Sequence, residues 1–158
     1  MNNTTLEKTQ AQPRLNYPKA APKTLQAMLA ISEVVRQSGL EETLLHLIEI
    51  RASQINGCAF CIDMHIRDAK AAGETDERIN LLTAWREVDF YTPRERAALA
   101  WTERLTRLAD EHVTDNDFNA ARKELTEEEL ANLTLAIVTI NGWNRFNVGF
   151  RVPPRFGG

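Results

Sequence analysis

From residue 22 to residue 147 the apolar positions of this chain recur every three or four residues, and no stretch alternates apolar with polar. That period belongs to the α-helix, and its repetition between turn signals predicts an all-α fold. The punctuation divides the pattern into about six to seven helices of one bundle. The first covers residues 22–38, with Leu25, Met28, Leu29, Ile31 and Val35 as its stripe and Gly39 as its stop. The second covers residues 41–55 and breaks at Asn56-Gly57; the third covers residues 58–73; a shorter fourth follows Thr75 over residues 76–85. Thr92-Pro93-Arg94-Glu95 sets an N-cap threonine, an N1 proline and an N3 glutamate in register for a fifth. A sixth covers residues 115–124, and Thr126 with Glu129 caps a seventh running towards Asn147.

The seventh is the most apolar. Leu130, Leu133, Leu135, Ile137, Val138 and Ile140 cover most of its circumference, which predicts burial on several sides. Leu130, Leu133, Ile137 and Ile140 are expected to face the protomer core, and Leu135 and Val138 to face outward, where another copy of the chain would cover them.

With 158 residues, 43% of them hydrophobic, the chain can bury a core without disulfide staples. Residues 1–17 read as a mobile polar arm and residues 18–158 as a single helical domain. Net charge is −3 and the charges are mixed along the chain, which argues against nucleic acid as a partner. No apolar run reaches about 18 residues and the N-terminus has no apolar signal core, so neither a membrane span nor a secretory leader is expected. The expected location is cytoplasmic, and two cysteines in that reducing compartment point to catalysis or metal binding rather than to a structural bridge.

The two are Cys58 and Cys61, and His65 follows. On a helix Cys61 and His65 are neighbours at i and i+4, and the three side chains fall within roughly 60° of arc. Ala69 and Ala72 continue that face. One thiolate of such a pair can attack an oxidant and the other resolve the sulfenic acid to a disulfide. Two arguments about which thiol is reactive oppose each other. Cys58, just after Gly57, lies at a helix N-terminus, where the dipole lowers a thiol pKa. His65, one turn beyond Cys61, favours Cys61 and also supplies a proton path, and it decides the assignment. A zinc site on Cys58, Cys61 and His65 would lack a fourth ligand, since there is no second CxxC and His46 and His112 lie elsewhere in sequence. Two inert buried cysteines are the bland alternative.

The second helix has a broad apolar face through Leu44, Leu45, Leu47, Ile48, Ile50, Ala52 and Ile55. His46, Glu49 and Ser53 make one polar column within it. A carboxylate among apolar neighbours is expected to have a raised pKa and to be able to relay protons. The alternative is an ion pair, with Arg51 or with another helix. Glu103, Asn141, Asn144 and Arg145 read as packing, capping or interface groups.

The stretch from Ile48 through Glu49, Cys58 and Cys61 to His65 resembles the core of the carboxymuconolactone decarboxylase superfamily, and within it the alkylhydroperoxidase AhpD-like branch. The likeness continues through Asp68-Ala69, Ala72-Gly73, Trp85-Arg86 and the Glu95 to Thr106 helix. It implies a helical fold that assembles into trimers or hexamers. It also implies thiol peroxidase chemistry on organic hydroperoxides, with electrons from a dithiol reductant or reductase protein and no bound cofactor or metal. Carried over, Cys61 is peroxidatic, Cys58 resolving, and Glu49 and His65 a proton relay. Two positions depart from AhpD itself. Phe60 stands where it has a histidine, and His46, 12 residues before Cys58, stands where it has the relay glutamate; Glu49 is 9 before. A lactone decarboxylase does not need the CxxC, and a non-enzymatic redox sensor or disulfide adaptor would use the same thiols.

Overall fold

The computed structural model describes residues 12–154, and among these there are helices and no strands. The eight α-helices are α1 (Tyr17–Ala20), α2 (Pro22–Arg36), α3 (Glu42–Asn56), α4 (Ala59–Ala71), α5 (Asp76–Asn80), α6 (Pro93–Thr106), α7 (Asp115–Glu124) and α8 (Glu127–Gly149). A 3-10 segment, Leu82–Glu87, lies between α5 and α6. The seven-helix expectation is exceeded for two local reasons. Asn16 caps a single turn before α2. The expected fourth helix splits at Leu81 (φ −93°, ψ 5°), and the 3-10 segment that follows is itself kinked at Ala84 (φ −117°, ψ 28°).

The capping signals act as read. Thr92 with Glu95 and Thr126 with Glu129 both form reciprocal capping boxes, and Thr114 with Asp117 forms a third. Such caps satisfy N–H groups that would otherwise have no partner, typically for about 1 kcal/mol each. Arg94 then ties three helix starts together, pairing with Glu41 before α3 and Glu129 on α8 at 2.8 Å each.

Helix α3 is the centre of the bundle, packed by α4, α6 and α8. It feeds two cores at once. Leu44, Leu45, Ile48 and Ala52 join Leu133, Ile137 and Ile140 of α8 in the larger one. Leu47 and Ile50 join Ile79, Leu82, Trp85 and Leu99 in the smaller one. Fully burying a Leu or Ile contributes about 1.5–3 kcal/mol, so the two-sided burial explains why this helix is apolar over so much of its surface. It also leaves only the column of His46 and Glu49 for chemistry.

Leu130, Leu133, Ile137 and Ile140 of α8 face the core as expected, and Val138 is 58% exposed. Leu135 does not face outward; it is half-buried against the larger core. Helix α2 covers another side of α8. Met28 Cε lies 2.9 Å from where a Cβ on Gly142 would be, so a larger residue there would push the Met28 methyl aside. The Trp143 indole donates to Ser32 Oγ at 2.9 Å across the same seam. Residues 1–11 of the expected arm lie outside the described residues; residues 12–17 run along the end of α8, where Arg14 N–H donates to the Phe150 carbonyl at 2.8 Å and Tyr17 stacks on Phe150. No helix among the described residues is long and apolar enough to cross a membrane.

Candidate functional site

Gly57 ends α3 in the left-handed conformation, φ 65°, and hands the chain directly to α4 with Cys58 as its N-cap. Any other residue would be strained at that φ, so the glycine fixes the angle between the helix carrying Glu49 and the helix carrying Cys61 and His65. Cys58 and Cys61 are both buried, as two thiols, and the Cys58 thiol donates to the Cys61 sulfur at 2.7 Å. The Cys58 sulfur in turn accepts from the Cys61 backbone N–H at 3.4 Å.

The pair is asymmetric. Hydrogen bonding from Cys58 lowers the Cys61 pKa to about 6 against the opposing effect of burial, with help from Asn147, Asn144 and the charge of His65. The same contact and burial raise the Cys58 pKa. This asymmetry runs with the histidine argument for Cys61 and against the helix-dipole argument for Cys58. The Cys58 thiol keeps its proton and points it at the Cys61 sulfur, which favours the thiolate on Cys61.

His65 lies on α4 with its Nδ1 3.0 Å from Glu49 Oε2, and His46 Nδ1 lies 3.7 Å from the same oxygen. His46 Nε2 is 3.6 Å from Glu42. Burial disfavours the Glu49 carboxylate, yet the contacts with His46 and His65 prevail and lower its pKa to about 2. The raised pKa expected from its apolar neighbours in sequence is corrected: the residues that matter stand one turn back on α3 and across on α4. Burial lowers the His65 pKa and Glu49 more than reverses it; contact with Glu49 raises that of His46. The ion pair with Arg51 does not form, since Arg51 binds Glu103 at 2.7 Å. Glu103 also accepts from the Trp85 indole at 3.0 Å and pairs with Arg86 at 2.6 Å, so it is a buried structural anion.

Cys61, His65, Glu49 and His46 border a cleft of about 1050 Å³; Cys58 does not line it. Leu25, Leu29 and Val35 of α2, Phe60 and Met64 of α4, and Ile140 and Trp143 of α8 give it apolar walls. Ala69 continues the thiol face into the core, whereas Ala72 is exposed because the helix has ended at Ala71. Ser53 turns away from the cleft and accepts from Asn144 at 3.0 Å.

Two contributors escaped the sequence reading. Asn147 Nδ2 donates to the Cys61 sulfur at 3.2 Å, and Asn144, whose Nδ2 donates to Ser53 Oγ at 3.0 Å, adds to the lowering of the Cys61 pKa. With Asn141 they recur every three residues along the buried helix α8. Three amides on one line of an otherwise apolar helix are the signal that would have found them, since buried amides must have partners.

Residues 22–104 match the Carboxymuconolactone decarboxylase family. The chain is 43% identical over 135 residues to the uncharacterized protein YdfG of Bacillus subtilis (strain 168), covering 85% of this chain and 92% of that protein. It is 42% identical to a crystal structure of an Agrobacterium tumefaciens protein of unknown function, described as a candidate antioxidant defence protein AhpD. That match has a TM-score of 0.90 and covers 92% of this chain and 100% of the other. The debrominase Bmp8 shares the fold at a TM-score of 0.78 and 19% identity, over 87% of this chain and 74% of that one.

Proposed function

The chain belongs to the carboxymuconolactone decarboxylase family, in its AhpD-like branch, and from that premise we propose that it is a cysteine-based alkyl hydroperoxidase. The observation that carries this reading is the asymmetry of the thiols. Cys61 has a lowered pKa and borders an apolar cleft, while Cys58 sits behind it at 2.7 Å, out of the cleft.

The Cys61 thiolate attacks the terminal oxygen of an organic hydroperoxide; the O–O bond breaks, the sulfur becomes a sulfenic acid, and the alkoxide takes a proton from His65 and leaves as the alcohol. Glu49 holds His65 as the imidazolium that this step needs. The Cys58 sulfur, losing its proton towards the relay, then attacks the Cys61 sulfur and water departs, leaving the disulfide. A dithiol reductant or reductase protein, oxidised in turn, restores both thiols. One hydroperoxide and two thiols thus give one alcohol, one water and one disulfide. Asn147, as a donor to the Cys61 sulfur, stabilises the thiolate and is a positioning residue.

The setting proposed for this cycle is the reducing cytoplasm, and the assembly a trimer or hexamer. The exposed Val138, with Ile31 and Val34 of α2, supports the latter by offering an apolar strip for a second copy. A mass near 17.9 kDa by light scattering at micromolar concentration would overturn it.

The deciding experiment is incubation with cumene hydroperoxide and a dithiol. Sustained hydroperoxide loss is the expected result. Consumption of one equivalent and no more would make the protein a redox sensor instead.

A further inference from the structure

We propose that His46, Glu49 and His65 form a binding site for a divalent metal ion of the zinc class. Their three ligand atoms all lie within 4.8 Å of one another. His46 and Glu49 are one turn apart on α3 and His65 faces them from α4, so the bend at Gly57 that sets the thiol site also closes this cluster.

The spacing suits a small tetrahedral ion. Zinc bonds of about 2.0–2.2 Å place neighbouring ligand atoms about 3.3–3.5 Å apart. Glu49 Oε2 lies 3.0 Å from His65 Nδ1 and 3.7 Å from His46 Nδ1, which brackets that spacing on both sides of the carboxylate. Both ring nitrogens of His46 and Nδ1 of His65 are buried without an aligned hydrogen-bond partner. A buried imidazole nitrogen without an aligned partner can turn its lone pair to a metal once its proton is displaced, so metal binding here competes with protons. Two imidazoles and a carboxylate are a recurrent three-ligand set for zinc, leaving a fourth position open. Here that position faces the cleft, which also provides the way in.

This ligand set differs from the thiol set weighed from the sequence and uses neither cysteine. It has a consequence that rests on the hydroperoxidase reading: metal at His65 and Glu49 takes the proton relay away from Cys61, so zinc arrests turnover without oxidising a thiol.

The test separates the two ideas. Cobalt(II), added to the protein carrying Cys58→Ser and Cys61→Ser, is expected to develop tetrahedral d–d absorption that saturates at one equivalent per chain and is displaced by zinc. His46→Gln in that background should weaken binding about tenfold or more. Glu49→Gln should do the same, and serves if the histidine variant fails to fold by circular dichroism. In the protein with both thiols, zinc should slow hydroperoxide loss and a chelator restore it. No saturable cobalt spectrum, affinity unchanged in both variants, or binding that needs the cysteines would overturn the site. A protein that binds cobalt in this way yet turns over no hydroperoxide would leave the site standing and remove the peroxidase reading.

Discussion

Glu49 and Glu103 are both carboxylates in the interior of one bundle, and both have a pKa below the ordinary value. Their partners make them opposites. Glu103 on α6 is held by Arg51, Arg86 and the Trp85 indole, which carry fixed charge or a fixed dipole and exchange no protons in any ordinary pH range. Glu49 on α3 is held by two imidazoles, whose charge changes near neutrality, and it borders the cleft beside a thiol. A buried carboxylate with guanidinium partners is architecture; one with imidazole partners is equipment for moving protons. Residue type and burial do not distinguish them, whereas the titration range of the partner does.

The largest effect concerns the thiol that the Glu49 cluster serves. Cys61→Ser should abolish hydroperoxide consumption, while Cys58→Ser should consume one equivalent and leave a sulfenic acid that dimedone labels at Cys61. Dimedone labelling of Cys58 in the Cys61→Ser protein instead would reverse the roles and detach Glu49 and His65 from the reactive sulfur.

Next comes the relay itself. Glu49→Gln keeps the shape and removes the charge, and should slow the reaction with peroxide by about 10²–10⁴-fold, the usual scale of general acid–base help. Stopped-flow rates for Glu103→Gln, measured on whatever fraction is folded, should stay within a few-fold of the parent. Equal rate losses in the two variants would erase the contrast.

Stability should show the reverse order. Glu103→Gln leaves Arg51 buried without its counter-ion, and breaking a buried pair from one side typically costs about 3–5 kcal/mol. Urea denaturation would read this directly, and a cost below that of Glu49→Gln under the same conditions would make Glu103 the lesser support.

Much of this arrangement was legible in the sequence. The capping boxes at Thr92 and Thr126 are local, since the residues that satisfy each other lie three apart, and both formed as read. Cys58, Cys61 and His65 share a turn or two of one helix, so their juxtaposition follows from helical geometry alone. What the sequence could not show depends on partners far along the chain. Glu49 looked like a carboxylate among apolar residues because its histidine on α4 is 16 positions away. Glu103 was unplaced because Arg51 lies 52 positions away. Asn147 meets Cys61 across 86 positions, and only its period with Asn141 and Asn144 hinted that α8 had a polar line to satisfy. The helix dipole is a property of α4 alone, whereas the contact that sets the two thiols apart is between their side chains.

The smallest effect is a pH dependence that separates the two carboxylates by sign. Glu49 has a folded pKa of about 2 against an ordinary value of 4.5, so its stabilisation is present above about 4.5 and is lost as pH falls towards 2. His46 and His65 are raised above 6.5, so the stabilisation they share with Glu49 is complete below 6.5 and is lost as pH rises through their folded values. The Glu49 cluster therefore contributes most in a window on the acid side of neutrality and fades on the alkaline side. Glu103 is also lowered, so its contribution likewise disappears in acid, but its arginines keep their charge and there is no alkaline loss. Both variants should be compared in a Cys58→Ser, Cys61→Ser background, where no thiolate holds His65 protonated. Between about pH 5.5 and about pH 9.5, the cost of Glu49→Gln should fall from on the order of 1–3 kcal/mol to a few tenths. Over the same range the cost of Glu103→Gln should stay level. A level cost for Glu49→Gln would mean that the imidazoles carry no charge in the folded protein, and Glu49 would then belong with Glu103 as a fixed support.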